Sequence, residues 1–257
     1  MLPIKYITNL NPHIPQLVWF PANKSDLTIK LDKRVKWIKL NAKQGGYYRT
    51  NYPENTWTIF STTIKDFHIR DKMHLLDESF ALVRANKVNC SVAFNLTTYL
   101  YEEDRYEAWV AAQHGFRQIR TGLSQNNMSI YPLKRYVSQL VDKQYHRNKW
   151  TVEKTESFRT KLTRQTIFNL ACVYGHHQCI KKVQQLWPKR KLLPVDIYDI
   201  VRANYLTKKK VKKVSLGNSL VEDSTWFGAD LSLLTSSTQF KWPKDLVEEC
   251  NAWLENK

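Results

Sequence analysis

Apolar residues change their spacing once along this chain, at Pro53. Before it, Ile4, Tyr6 and Ile7, then Leu17 to Phe20, then Leu27, Ile29 and Leu31 form short runs punctuated by Pro3, Pro12, Pro15 and Pro21. The third run alternates with period two, as a half-buried strand does. Proline has no N–H to give a ladder, so prolines at run ends suit edge strands and loops. Trp37 to Tyr52 reads as a β-hairpin. Trp37, Ile38 and Leu40 open one arm, and Tyr47, Tyr48, Thr50 and Tyr52 make the other. Lys43 to Gly46 would be the turn, with paired glycines supplying positive φ. About five strands are countable, against about seven in a complete sandwich. The sheet is therefore expected to be open on its N-terminal side, with an unpaired edge.

After Pro53 the period is helical. Ile69, Met73, Leu76, Phe80 and Val83 step by four and three and define one helix face, with Asn86 placed as its stop. Tyr106, Trp109, Val110, Gln113 and Phe116 make the next face, in a helix that Gly115 weakens. Ile130, Leu133, Val137, Leu140 and Val141 follow, with Pro132 tolerable only in the first turn. Further faces are Phe158 and Leu162 through Val173, then Ile180, Val183 and Trp187, then Ile197, Tyr198, Val201 and Tyr205. Lys208 to Lys213 is a basic run, Ser215 to Gln239 reads as a long loop, and Pro243 to Leu254 recovers a short helix. The expected fold is mainly α: a superhelical, HEAT/armadillo-like array of helices preceded by a partial β-sandwich. Residues 1–53 would end the sandwich and 54–257 would form the helical domain.

Several blocks together resemble the C-terminal region of the aminopeptidase N family of zinc aminopeptidases. Trp37-Ile-Lys-Leu-Asn41, followed by Gly46-Tyr-Tyr-Arg-Thr-Asn-Tyr52, is similar to the family's junction between a small β-sandwich and its helical domain. Asp71 to Ala85 resembles its Leu-Leu-Asp-Asp-Ala-Phe helix. Thr98 to Trp109 resembles its Tyr-Leu-x-x-Glu-x-x-Tyr-x-x-Trp segment. Leu170 to Cys179 resembles its Leu-Ala-Cys-x-x-Gly-x-x-x-Cys corner. The order of the blocks over 37–205 is the specific signal, and the last fifty or so residues match poorly. The resemblance implies peptide as substrate of the intact enzyme and zinc as its cofactor. It also implies a catalytic domain or a second copy of the chain as partner, on the extracellular or lumenal side of a membrane.

Composition adds little to this except in charge. An apolar fraction of 42% and a charged fraction of 25% are ordinary for a globular chain. A net charge of +17 admits nucleic acid, an anionic membrane surface or acidic ligands as partners, beside the plain reading of basic, solvated helix faces. No nucleic-acid motif accompanies the charge. The longest apolar run, Ala108 to Ala112, is far below the ~20 residues of a spanning helix. Met1 to Leu10 has no apolar signal-peptide core, so a chain that truly started at Met1 would be cytosolic.

The family's chemistry depends on His-Glu-x-x-His, in which two histidines one turn apart hold zinc and the glutamate polarises water. Here none of the seven histidines (His13, His68, His74, His114, His146, His176, His177) is followed by Glu. The family's Gly-Ala-Met-Glu-Asn segment is absent too, as are Gly-x-Ser-x-Gly and phosphate-binding glycine loops. No catalytic or metal-binding residue is therefore assigned, and this chain alone is expected to be inactive. Cys172, His176, His177 and Cys179 form a cluster open to three readings: disulfide, free thiols or zinc. In one unbroken helix the two cysteines would stand ~10 Å apart along the axis, too far for a bridge. Gly175 would let the chain turn back, and the resemblance implies a bridge between Cys172 and Cys179. Cys90 and Cys250 are expected as buried, unpaired core residues. Sequons fall at Asn23, Asn89, Asn95 and Asn127, of which Asn23 and Asn127 are the candidates for glycosylation. Asp77, Glu78, Glu102, Glu103 and Asp104 could suggest acid–base work, but structural roles weigh more: Glu102 and Glu103 read as solvated charges, Asp104 as a helix cap, and Arg49 as the partner of a carboxylate at the junction.

Three function classes stand at this stage. The first is the C-terminal part of a zinc aminopeptidase, covering the cleft and contacting peptide. The second is a non-catalytic interaction module of the same descent. The third is a basic nucleic-acid binder, which salt-dependent affinity for RNA or DNA would reveal.

Overall fold

The computed structural model describes residues 1–195, 197–202 and 240–257. The expected basic run at Lys208 to Lys213, the loop at Ser215 to Gln239 and the helical position of Tyr205 lie outside the described residues. The chain is mainly helical behind a small antiparallel sheet, and it divides into two compact units, Met1–Gln118 and Ile119–Lys257.

In the first unit, β1 (Leu2–Thr8) lies between β2 (Asn11–Phe20) and β3 (Ile38–Leu40). Register pairs Tyr6 with both Gln16 and Leu40, and Ile7 with Lys39. Only the second half of β1 is buried. Pro12 and Pro15 sit in β2, an edge strand among the described residues, where a missing N–H costs no ladder bond.

Three strands form rather than five. Residues 27–31 are not a strand despite their alternation, and 47–52 form no strand either, so the hairpin read from the sequence is corrected. β3 pairs with β1, and the turn that follows is built by non-glycine residues. Asn41, Lys43 and Gln44 take positive φ (52°, 56° and 54°), whereas Gly45 has φ −80°. The Asn41 side chain organises this turn: Oδ1 accepts from the Gly46 N–H at 2.8 Å, and Nδ2 donates to the carbonyls of Gly46 and Tyr48. Backbone groups of 47–52 find side-chain partners instead of a strand, as when Thr50 N–H donates to Glu78 Oε2 at 3.1 Å. Tyr52 then packs edge-on against Trp57 and Phe60, with ring centroids 5.1 and 5.0 Å apart, and Trp37 packs against Phe60 and Phe67. This aromatic knot fixes the segment to the first helix.

The helices start and stop where residue chemistry directs. α1 (Glu54–Thr63) begins after Pro53. α2 (Ile69–Arg84) is capped by His68, whose Nδ1 accepts from the Arg70 N–H, and it ends at Asn86 in the left-handed region. There Lys87 N–H reaches Leu82 O and Asn86 N–H reaches Val83 O, closing the orphan carbonyls. α3 (Cys90–Thr97) and α4 (Tyr106–Gln125) follow, and the division between the units falls within α4. Gly115 has a packing reason: a Cβ there would stand 2.1 Å from the Phe80 ring, which also meets Phe94 and Phe116 edge-on.

In the second unit, α5 (Tyr131–Arg147) carries Pro132 in its first turn. It packs on α6 (Phe158–Val173), which Ser157 caps through its Oγ. α7 (His177–Leu186) folds back on α6. Residues 197–202 are helical (α8), with Ile197, Ile200 and Val201 buried. α9 (Lys244–Glu255) packs on α5, where Trp253 meets Tyr136 edge-on at 5.3 Å. Trp150 stacks on Phe168 at 4.2 Å, and buried Arg164 pairs with Glu156. No helix among the described residues is long and apolar enough to cross a membrane.

Candidate functional site

Two clusters of ionisable side chains stand out, one in each unit. The first is a buried network at the turn after β3. Lys39 lies on the inner face of its strand and is fully buried. Its ammonium donates to Asp71 Oδ1 at 2.6 Å and to the Asn41 carbonyl at 3.1 Å, and it stands 3.1 Å from His74 Nδ1. That arrangement leaves the His74 proton on Nε2, which faces Glu78 Oε1 at 3.1 Å. Asp71 Oδ1 also accepts from the Lys43 N–H at 2.6 Å. Burial pushes the Lys39 pKa down from the ordinary lysine value, while Asp71 and Glu78 pull it back up. Burial likewise pushes the neighbouring Tyr52 phenol up. α2 supplies Asp71, His74 and Glu78 on one face, at spacings of three and four.

This network braces the segment rather than performing chemistry. Asp71, His74 and Glu78 are all within a few per cent of complete burial, and every charge there is turned on a protein partner. Arg49 lies at its rim, 2.8 Å from Asp77 Oδ2 and 3.7 Å from Glu78 Oε1. Its Asp77 contact is about half exposed, so it contributes little stability. Nearby, Lys5, Lys43 and Arg70 border a shallow open pocket with Gln16 and Leu17. It holds no serine, threonine, cysteine, histidine or carboxylate.

The second cluster joins α5 to the corner between α6 and α7. Cys172 and Cys179 are disulfide-bonded, with Cα atoms 5.2 Å apart. The turn that brings them together is Gly175, at φ +90° with open space around it. Their sulfurs are thus not available as thiolate ligands, and the four-residue zinc reading of Cys172, His176, His177 and Cys179 is corrected. His177 is exposed. His176 caps α7 by accepting the Cys179 N–H on Nδ1 at 3.3 Å, and its Nε2 stands 3.0 Å from Asp142 Oδ1 on α5. His146, one turn beyond Asp142, brings its own Nε2 to 3.5 Å from the same oxygen. Cys90 and Cys250 are buried, but they too are disulfide-bonded, and no cysteine among the described residues is free. Their expectation as unpaired core thiols is corrected. Burial of a small sulfur side chain is legible from sequence; whether it is oxidised is not.

The glycosylation sequons fall on the surface. Asn23, Asn89, Asn95 and Asn127 are all exposed. Asn127 has φ +54° in the link after α4, whereas Asn95 projects from α3 and its sequon threonine, Thr97, is buried. Glu103, read as a solvated charge, is instead buried and bonded to Lys72 Nζ at 2.6 Å. The residues missed from sequence are Lys39, Asp71, His74, Asp142 and His146. Spacings of three and four on α2 and α5 were their visible signal.

The family's His-Glu-x-x-His zinc motif does not occur in this sequence. No histidine in the chain precedes a glutamate, and the buried His74–Glu78 pair is committed to Lys39 and lies out of reach of solvent.

Comparison with known proteins places these features. Residues 37–210 match the family model described as ERAP1-like C-terminal domain. Aminopeptidase N of Plutella xylostella is 29% identical over 185 residues, covering 69% of this chain and 19% of that protein. Glutamyl aminopeptidase of Rattus norvegicus is 28% identical over 206 residues, covering 76% of this chain and 21% of that protein. Endoplasmic reticulum aminopeptidase 2 of Bos taurus is 26% identical over 216 residues, covering 78% and 22%. The chain thus spans about a fifth of the length of these relatives. With the family model covering well over half of its residues, this chain belongs to the ERAP1-like C-terminal domain family.

Proposed function

We propose that this chain is the non-catalytic C-terminal portion of a zinc metallo-aminopeptidase, an enzyme that removes amino acids from the N-termini of peptides. Its part is to cover and shape the peptide cleft and to stabilise a catalytic partner. One observation carries the reading: the family match over 37–210 in a chain without His-Glu-x-x-His. Hydrolysis by a metallo-aminopeptidase needs a zinc-bound water and a glutamate beside a ligand histidine to activate it. A chain without that pair can bind and position peptide but cannot carry out the step.

The compartment follows from the same reading. Relatives carry names such as membrane alanyl aminopeptidase and endoplasmic reticulum aminopeptidase 2. Disulfide-bonded cysteines suit the oxidising, extracellular or lumenal side of a membrane. Asn23 and Asn127 would carry glycans there.

A truncation experiment tests the role. Rat glutamyl aminopeptidase lacking the segment matched here is expected to regain solubility and turnover, saturably, on co-expression with this chain. Failure of the two to co-purify, with the enzyme's own segment restoring activity in parallel, would refute the covering role. An interaction module of the same descent would give co-purification without any gain in turnover.

A further inference from the structure

We propose that Asp142, His146 and His176 form a binding site for a borderline divalent cation, zinc in the first instance, that ties α5 to the start of α7. Among the described residues this is the one group of three such side chains whose ligand atoms converge, all within 4.8 Å of one another. Two ligands at ~2.0–2.1 Å from a tetrahedral zinc stand roughly 3.3 Å apart. The structure has Asp142 Oδ1 at 3.0 Å from His176 Nε2 and at 3.5 Å from His146 Nε2. Two of the three donor pairs are therefore already near the spacing that a small tetrahedral ion requires, and the third pair lies within 4.8 Å.

The scaffold holds this arrangement from both sides. Asp142 and His146 share one face of α5, four residues apart. His176 is set by the Gly175 turn and by the disulfide at Cys179, and its ring packs on Tyr145 at 4.3 Å. Access is open on the other side, since the side chains of Asp142 and His146 are 47% and 50% exposed, while that of His176 is 7% exposed. One carboxylate and two imidazoles leave the fourth position to water. Two nitrogen ligands select zinc, nickel, cobalt or copper over calcium and magnesium, which favour oxygen.

Binding has a structural cost that gives the site a signature. With Nδ1 accepting the Cys179 N–H, the proton of neutral His176 is on Nε2. A metal at Nε2 moves that proton to Nδ1, so the cap on α7 is lost. Losing such a cap is worth roughly fivefold in an equilibrium constant, which weakens a site of this kind without abolishing it. Amide exchange at Cys179 should accordingly rise when the ion binds, although the site as a whole becomes more rigid.

The test uses the full chain with its disulfides intact, titrated with zinc chloride by calorimetry. Expected is one saturable site of micromolar affinity. Loss of about tenfold or more is expected in His146→Ala and Asp142→Asn, with no change in His177→Ala. His146 is half exposed, so His146→Ala should keep the circular-dichroism spectrum of the parent. Cobalt should bring visible absorption bands that His146→Ala removes, and magnesium and calcium should give no heat. Absence of zinc binding by the parent chain, or binding that His146→Ala and Asp142→Asn leave unchanged, overturns the proposal.

Discussion

Replacing Asp71 by Asn removes one charge from the most deeply buried ion pair among the described residues while keeping the shape of the side chain. Lys39 and Asp71 have side chains 0% and 1% exposed and a contact of 2.6 Å. An Asn side chain keeps an oxygen for the Lys39 ammonium and the Lys43 N–H, so shape and one acceptor survive. What is lost is the countercharge of a lysine that burial already disfavours. Breaking a buried pair from one side costs about 3–5 kcal/mol. For a chain of this size that corresponds to a fall in melting temperature of roughly 6–20 °C. Lys39→Met combined with Asp71→Asn should cost clearly less than the sum of the two single changes, because no unpaired charge remains.

The pH dependence has a definite sign. The folded-state pKa of Lys39 lies below its unfolded value, so between the two the unfolded chain binds more protons and stability rises with pH. Losing Asp71 lowers the folded value further and widens that window. The deficit of Asp71→Asn relative to the parent should therefore be largest near neutrality and shrink as pH climbs toward the ordinary lysine value of 10.5. Urea unfolding followed by circular dichroism between pH 7 and about 9.5 measures both effects. A deficit under about 1 kcal/mol that is constant with pH and additive with Lys39→Met would refute the buried-pair reasoning.

Three further outcomes are expected. Gly115→Ala should destabilise by about 1–3 kcal/mol despite the better helix propensity of alanine, because its Cβ would overlap the Phe80 ring; a stabilised variant in thermal unfolding would contradict that packing. Replacing Cys172 and Cys179 together by Ala should cost about 2–3 kcal/mol for so short a loop, read as a shift in the urea midpoint, and an unchanged midpoint would show the bridge idle. Expression through a secretory route should place glycans on Asn23 and Asn127, seen as mobility shifts on enzymatic deglycosylation that Asn23→Gln and Asn127→Gln each remove, and no shift in either would count against the lumenal reading.

The longer helices were legible because they carry their own period and punctuation, whereas the short α1 and α3 show no face of their own. Asn86 stops α2 and Pro132 opens α5 where their conformational limits require. The sheet was read less well, since strand pairing depends on partners distant in sequence. Leu27, Ile29 and Leu31 alternate without being a strand, and two glycines suggested a hairpin where Asn41 builds the turn through its side chain. Lys39 stands between Ile38 and Leu40. Nothing local says that its face of the strand is the buried one. Gly115 read as a weakness in α4, whereas Phe80, thirty-five residues upstream, requires it. At the corner of α6 and α7 the spacing of Cys172, Gly175 and Cys179 suggested a turn, but the alignment of His176 with Asp142 and His146 needed the packing of α5 beside it.

The most direct measurement is turnover by the purified chain alone, supplied with zinc and a panel of aminoacyl-aminomethylcoumarin substrates. A chain of this family without a His-Glu pair should release no fluorophore above the buffer rate at any zinc concentration. Turnover that co-purifies with the chain through successive columns, disappears with chelator and returns with zinc would contradict the non-catalytic reading.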